Sequence, residues 1–201
     1  MKLLTIDTSQ PIGEVAYCDG MLSQSFAITD QNATALLSAI CQEHRPSHVL
    51  LGIGPGRLSG LRRSASFVAG LAQAYAIPIY TVSSLLLMAA YAHHTTQHTT
   101  IQVIIDARMG QYFVAQYRWD KDVLHIEQEA HLSSAPVKNG FTVGMLDAHD
   151  AHMLDVCYTQ LHCQHAFVFF DQWLHAGVID TVDPYTIAIH YMRHAVDKTN
   201  L

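Results

Sequence analysis

The chain has 201 residues, of which 50% are hydrophobic and 14% charged, and its formal net charge is −6. That apolar content excludes a disordered chain, and that length allows one large domain or two small lobes with real cores. With only 11 Lys and Arg, a basic patch that binds nucleic acid unaided is excluded too.

Lys2–Asp7 reads as a buried strand ending on polar Asp7-Thr8-Ser9. It is too short for a signal segment, and no apolar run reaches the roughly 20 residues of a membrane span. A cytoplasmic protein is the expectation, with its four cysteines reduced because none forms a CxxC pair. Glu14–Cys18 and Met21–Ile28 are two strands joined by the hairpin turn Asp19-Gly20. A helix capped by Asp30 or Asn32 runs over 32–44, with Leu36, Leu37 and Ile40 on one side. After the strand His48–Ile53 comes the turn Gly54-Pro55-Gly56-Arg57-Leu58-Ser59-Gly60, then a helix from Gly60 to Tyr75 that Ser59 can cap. Pro78–Val82 is a buried strand, and Ser83 or Ser84 starts a helix to about Ala92.

The polar stretch His93–Thr100 is the expected lobe boundary. Beyond it the pattern restarts. Ile101–Asp106 is a strand ending in an acid, and Tyr112–Trp119 and Val123–Glu129 follow it. Phe141–Met145 and Ala166–Phe170 read as strands and Asp150–His162 as a helix. Asp183-Pro184 is a helix start for a terminal helix over 183–197. The whole reads as a β-β-β-α-β-α unit used twice. The first lobe covers 1–99, completed by the helix 183–197, and the second covers 100–182.

Three features could carry function. The glycines of the Gly52–Gly60 turn, with Gly54, Gly56, Arg57 and Arg62, could let backbone N–H groups hold an anion at a helix N-terminus. The alternative is a tight strand-to-helix turn without a ligand, since neither P-loop nor GxGxxG spacing is present. Asp7, with Thr8 beside it, and Asp106, with Arg108 beside it, could face one cleft around a bound ion or water; equally, both acids could simply end buried strands. The helix 60–75 is apolar almost all round, so one side covers its own sheet and the other meets a second chain or the interior of the monomer. On that argument Leu61, Ser64, Ala65, Val68, Leu71 and Ala72 are expected partner-binding residues. His94 and His98 have HxxxH spacing, but no third metal ligand accompanies them. No catalytic residues and no metal site are assigned.

Four stretches together resemble the TsaB (YeaZ) family. Leu4-Thr5-Ile6-Asp7-Thr8-Ser9 is similar to its opening strand and turn, Gly52–Arg62 to its GxGPGSFTGxR signature, Ile105–Tyr112 to its DARxGE segment, and Tyr191-Met192-Arg193 to its YLR element. The likeness covers roughly residues 1–119 and returns weakly at the C-terminus. It implies an α/β fold of the actin/Hsp70-like kind, with two related lobes and the second trimmed. It also implies a partner, TsaD, which transfers threonylcarbamoyl to adenosine 37 of tRNAs reading ANN codons, and an ATPase, TsaE. The contact with TsaD, and a competing homodimer, would use the helices 32–44 and 60–75, which adds Leu36, Leu37 and Ile40 to the expected partner-binding residues. Contact with tRNA would be indirect, and no cofactor belongs to the isolated chain, ATP or ADP being held by the complex. The positions matching TsaD's metal-binding HxxxH are Ser84 and Met88, so the resemblance is to the non-catalytic member. Gln111 stands for the usual Glu, Asn32-Ala33 for a His-Ser pair, and Arg57-Leu58-Ser59 for Ser-Phe-Thr.

Overall fold

The structure, a computed structural model, describes residues 1–121, 123–134, 136, 138–146, 148–154, 156–158 and 163–189. In chain order the first half gives β1 (Leu3–Asp7), β2 (Gly13–Cys18), β3 (Ser23–Ile28), α1 (Ala33–His44), β4 (His48–Gly52), α2 (Leu58–Tyr75), β5 (Ile79–Val82) and α3 (Ser84–Thr96). The second half gives β6 (Thr100–Arg108), β7 (Gln111–Asp120), β8 (Val123–Ser133), β9 (Phe141–Met145), α4 (Ala148–Met153), β10 (Cys157–Tyr158), a 3-10 turn at Cys163–His165, α5 (Ala166–His175) and β11 (Thr181–Val182).

Two sheets result, ordered β11-β5-β4-β1-β2-β3 and β10-β9-β6-β7-β8. Setting β11 aside, each lobe has the same internal order, fifth-fourth-first-second-third. In both, the first three strands are antiparallel and the fourth joins the first in parallel. This repeat is the duplicated two-lobe arrangement of the actin/Hsp70-like fold. The trimming is local. Where the first lobe inserts α1 between its third and fourth strands, no helix lies between β8 and β9 among the described residues. On that sheet face amide side chains bond one another beside a small cluster of Ile104, Val114 and Val156. Gln102 accepts hydrogen bonds from the Asn139 backbone N–H at 3.0 Å and the Thr142 hydroxyl at 3.2 Å, and Asn139 donates to Gln116 at 3.0 Å.

The first sheet is covered on both faces, which is why β1, β2 and most of β4 are buried at every position. Leu4, Ile6, Val15 and Tyr17 meet α1 and α2, while Leu3, Ala16 and Leu50 belong to a second cluster. That second cluster runs through α3 into Ile101, Val103 and Trp119 of the other lobe and on to Phe170 and Trp173 of α5. Leu85 through Ala90 are all at most 2% exposed. A helix apolar all round must be covered all round. Here that helix is α3, held between the lobes, rather than α2.

Several expectations are corrected. α3 runs to Thr96, so 93–100 is not a polar link; the Thr95 and Thr96 hydroxyls fold back onto the Tyr91 and Ala92 carbonyls. His94 ends up on the helix and His98 beyond its left-handed cap Gln97, so they share no helical face. Ala166–Phe170 opens a helix, not a strand. An apolar run cannot tell the two apart, and the buried positions Ala166, Phe169, Phe170 and Trp173 have helical spacing. The helix expected over 150–162 is only α4, followed by β10. Residues 183–189 form a turn and irregular chain with no helix, and 190–197 lie outside the described residues, as does Tyr191-Met192-Arg193. The first lobe is completed differently. β11 pairs antiparallel with β5, and the Cys163–His165 turn packs on β2 and β3. Residues 163–182 thus return to the first lobe.

Candidate functional site

The two lobes present equivalent turns to one another. At the end of β1 the Ser9 N–H donates to Asp7 at 2.7 Å, and at the end of β6 the Arg108 N–H donates to Asp106 at 2.6 Å. The same side-chain-to-backbone bond, two residues on, closes both turns. A cleft of about 290 Å³ lies between them, lined by Ser9, Gln10, Gly56, Arg57, Asp106 and Arg108 among others. Sequence reasoning named four of these six.

Asp7 is not on the cleft. It is fully buried, and burial pushes its carboxyl above the ordinary carboxylate range, the Ser84 and Ser9 side chains beside it offsetting part of that. The two acids therefore do not converge on an ion. Asp106 is partly exposed and pairs with the Arg108 guanidinium at 3.4 Å. Among the described residues no group of three or more His, Cys, Asp or Glu is placed to hold a metal. Ser84 and Met88 are buried in the α3 core, where the Ser84 hydroxyl accepts the Gly54 N–H at 3.0 Å.

The glycine-rich turn is filled by the chain itself. A Cβ at Gly52 would strike the Asp7 carboxylate, one at Gly56 the Ser9 backbone, and one at Gly60 the Thr8 carbonyl. The Arg57 N–H donates to the Ser9 carbonyl at 2.6 Å, and the Thr8 hydroxyl donates to Ser64 at 3.0 Å. These glycines make room for Asp7-Thr8-Ser9. The cations nearby are also engaged. Arg57 grips Asp30 with both terminal nitrogens, at 3.0 and 2.7 Å, and Arg63 reaches the same carboxylate at 2.6 Å. The hydrogen bonds from Arg57 and Arg63 hold Asp30 below its ordinary pKa. Arg62 is exposed and has no ion-pair partner among the described residues. Asp30 ties up both Arg57 and Arg63, a role whose sole signal in the sequence is a lone acid before a helix.

The nine residues expected to bind a partner are placed inside the protomer. Leu37, Ile40, Leu61, Ser64, Ala65, Val68, Leu71 and Ala72 are buried, and half-buried Leu36 packs on the same cluster. They form the apolar side that covers the chain's own sheet, which corrects the expectation. The outward side of α2 carries Ser59, Arg62, Ser66, Gly70, Gln73 and Ala74, and that of α1 carries Thr34, Ala35 and Ala39. Small side chains made the helix look uniformly apolar in the sequence.

A family model described as TsaD, tRNA N6-adenosine threonylcarbamoyltransferase, matches residues 28–167. The chain is 29% identical over 132 residues to the tRNA threonylcarbamoyladenosine biosynthesis protein TsaB of Escherichia coli K12, a match spanning 61% of this chain and 57% of that relative. Two solved structures from Pseudomonas aeruginosa share its fold. YeaZ superposes with a TM-score of 0.77 at 19% identity, covering 94% of this chain and 99% of that one. A protein with similarity to peptidase YeaZ superposes with a TM-score of 0.77 at 18% identity, covering 96% and 99%.

Proposed function

The chain belongs to the family of tRNA N6-adenosine threonylcarbamoyltransferase, TsaD, and within it to the TsaB/YeaZ group, and from that premise we propose that it is a non-catalytic partner and activator of TsaD. The reaction it serves is the formation of N6-threonylcarbamoyladenosine at position 37 of tRNAs reading ANN codons. The observation that carries this reading is the Gly52–Gly60 turn, whose space is taken by Asp7-Thr8-Ser9. A nucleotide-binding or metalloprotease-like enzyme of the same fold would need that space, or a set of metal ligands, for its chemistry. ATP or ADP then belongs to the assembly with TsaD and TsaE, and tRNA meets this chain only indirectly. No helix among the described residues is long and apolar enough to cross a membrane, in keeping with work in the cytoplasm. The contact with TsaD, and a competing homodimer, use the outward faces of α1 and α2.

Reconstitution tests the proposal directly. TsaD, TsaE and the enzyme supplying the carbamoyl-adenylate are combined with ANN-decoding tRNA, with and without this chain. Modified adenosine is expected only when the chain is present; equal yield without it overturns the activator role. Calorimetric titration of the isolated chain with ATP-Mg separates the enzyme reading. No heat is expected at micromolar nucleotide, and a saturable micromolar site would reinstate the enzyme.

A further inference from the structure

Glu14 of β2 stands directly opposite Asp7 of β1 in the register of the first sheet. Both are buried. Among the described residues no lysine or arginine lies within ion-pair distance of either. The groups around Glu14 are Asp7 from β1, the Ser25 hydroxyl from β3 and Cys163 from the 3-10 turn. His165 of that turn instead meets Tyr91 and His94 of α3.

One contact crosses 149 positions of sequence. The Glu14 carboxylate accepts the Cys163 N–H at 2.8 Å, and the Cys163 thiol donates to the Glu14 carbonyl at 3.5 Å. Cys163 is wholly buried. It leads straight into α5, whose Phe170 ring meets Tyr80 edge-on at 4.9 Å. The segment that completes the first lobe is thus fastened at its start by a buried acid lying beside another acid.

We propose that Glu14 and Cys163 form a proton-controlled latch: with Glu14 neutral, residues 163–175 are held on the first sheet, and ionisation of Glu14 favours their release. Burial, reinforced by the Asp7 charge and partly offset by the Cys163 N–H and Ser25 hydroxyl, pushes Glu14 up to about 7 from an ordinary 4.5. Lifting the segment would let water reach Glu14 and return it to the ordinary value. Glu14 therefore binds its proton more tightly closed than open. The closed form is favoured at low pH, loses ground as pH rises through the window between those two values, and loses no more above it. A gap of that size corresponds to a change on the order of a hundredfold in the opening equilibrium.

Hydrogen exchange of the full chain between about pH 5 and 8.5, corrected for intrinsic rates, tests the latch. Protection of the α5 amides is expected to fall on the order of a hundredfold across this range, with α3 amides unchanged, and Glu14→Gln is expected to abolish the dependence. A flat wild-type profile, the same slope in Glu14→Gln, or a parallel loss in α3 would overturn it. Should Glu14→Gln fail to fold, carboxyl NMR of the labelled wild-type chain decides. A Glu14 midpoint near 7 upholds the latch, and one in the ordinary carboxylate range sinks it.

Discussion

Gly60 and Gly70 lie ten positions apart on α2 and do opposite things. Gly60 touches the Thr8 carbonyl, so a methyl group there must push backbone against backbone, whereas a Cβ at Gly70 meets nothing within 4 Å. Gly60→Ala is expected to destabilise the chain by about 1–3 kcal/mol through overpacking. Gly70→Ala is expected to stabilise it by about 1 kcal/mol, the ordinary helical advantage of alanine. Denaturant unfolding of the two variants measures both, and equal effects would mean that Thr8 does not lie on α2 as described. Asp7 adds a pH effect at the same scale. Its raised carboxyl means that the folded state binds a proton more tightly than the unfolded chain. Its contribution is therefore lost as pH rises above the ordinary value, and Asp7→Asn is expected to remove that part of the slope from a stability-versus-pH series.

At the scale of elements, the two sides of α2 are distinguishable by charge. Val68 is wholly buried against the first sheet, so Val68→Glu is expected to unfold the protein by burying an unpaired charge. Gly70→Glu leaves the fold intact, since the position is open, but puts a charge on the outward face. Co-purification with TsaD is expected to fail for Gly70→Glu while its circular dichroism stays native; undiminished capture would move the contact off α2. The sequence reveals the helix itself and its buried periodicity. It hides which side faces out, because Ser66, Ala69, Gly70 and Ala74 are small enough to read as either. The first lobe was legible almost strand for strand, since alternation, the Asp19-Gly20 turn and the glycines each mark an element. The region after Ser133 was legible only at the strand Phe141–Met145. There a short apolar run, Ala166–Phe170, fits strand or helix, and the terminal helix signalled by Asp183-Pro184 is replaced over 183–189 by chain whose Ile187 and Ile189 pack on the first-lobe core. Of the candidate site, the residues Gly56, Arg57, Asp106 and Arg108 do gather at one cleft. That Asp7 is withdrawn beneath it, and that Asp30 engages Arg57 and Arg63, are long-range packing facts without a local signature.

Over the whole molecule, one apolar cluster joins Leu3 and Leu50 of the first sheet to Ile101 and Trp119 of the second through α3, and Phe170 and Trp173 close it. A core shared in this way makes the lobes one cooperative unit. A single calorimetric unfolding transition is expected. Phe170→Ala is expected to lower its midpoint by the cost of about 3–5 kcal/mol that such truncations carry, without splitting it; two resolved transitions would mean that the lobes hold separately. The order of the chain gives this architecture a cost during synthesis. β5 waits for β11, and Glu14 waits for Cys163 across 149 residues. At ribosomal speeds of about 5–20 residues per second, the first sheet spends on the order of ten seconds with an edge and a face uncovered. A nascent chain halted before residue 163 would therefore offer chaperones a nearly complete lobe that cannot yet close.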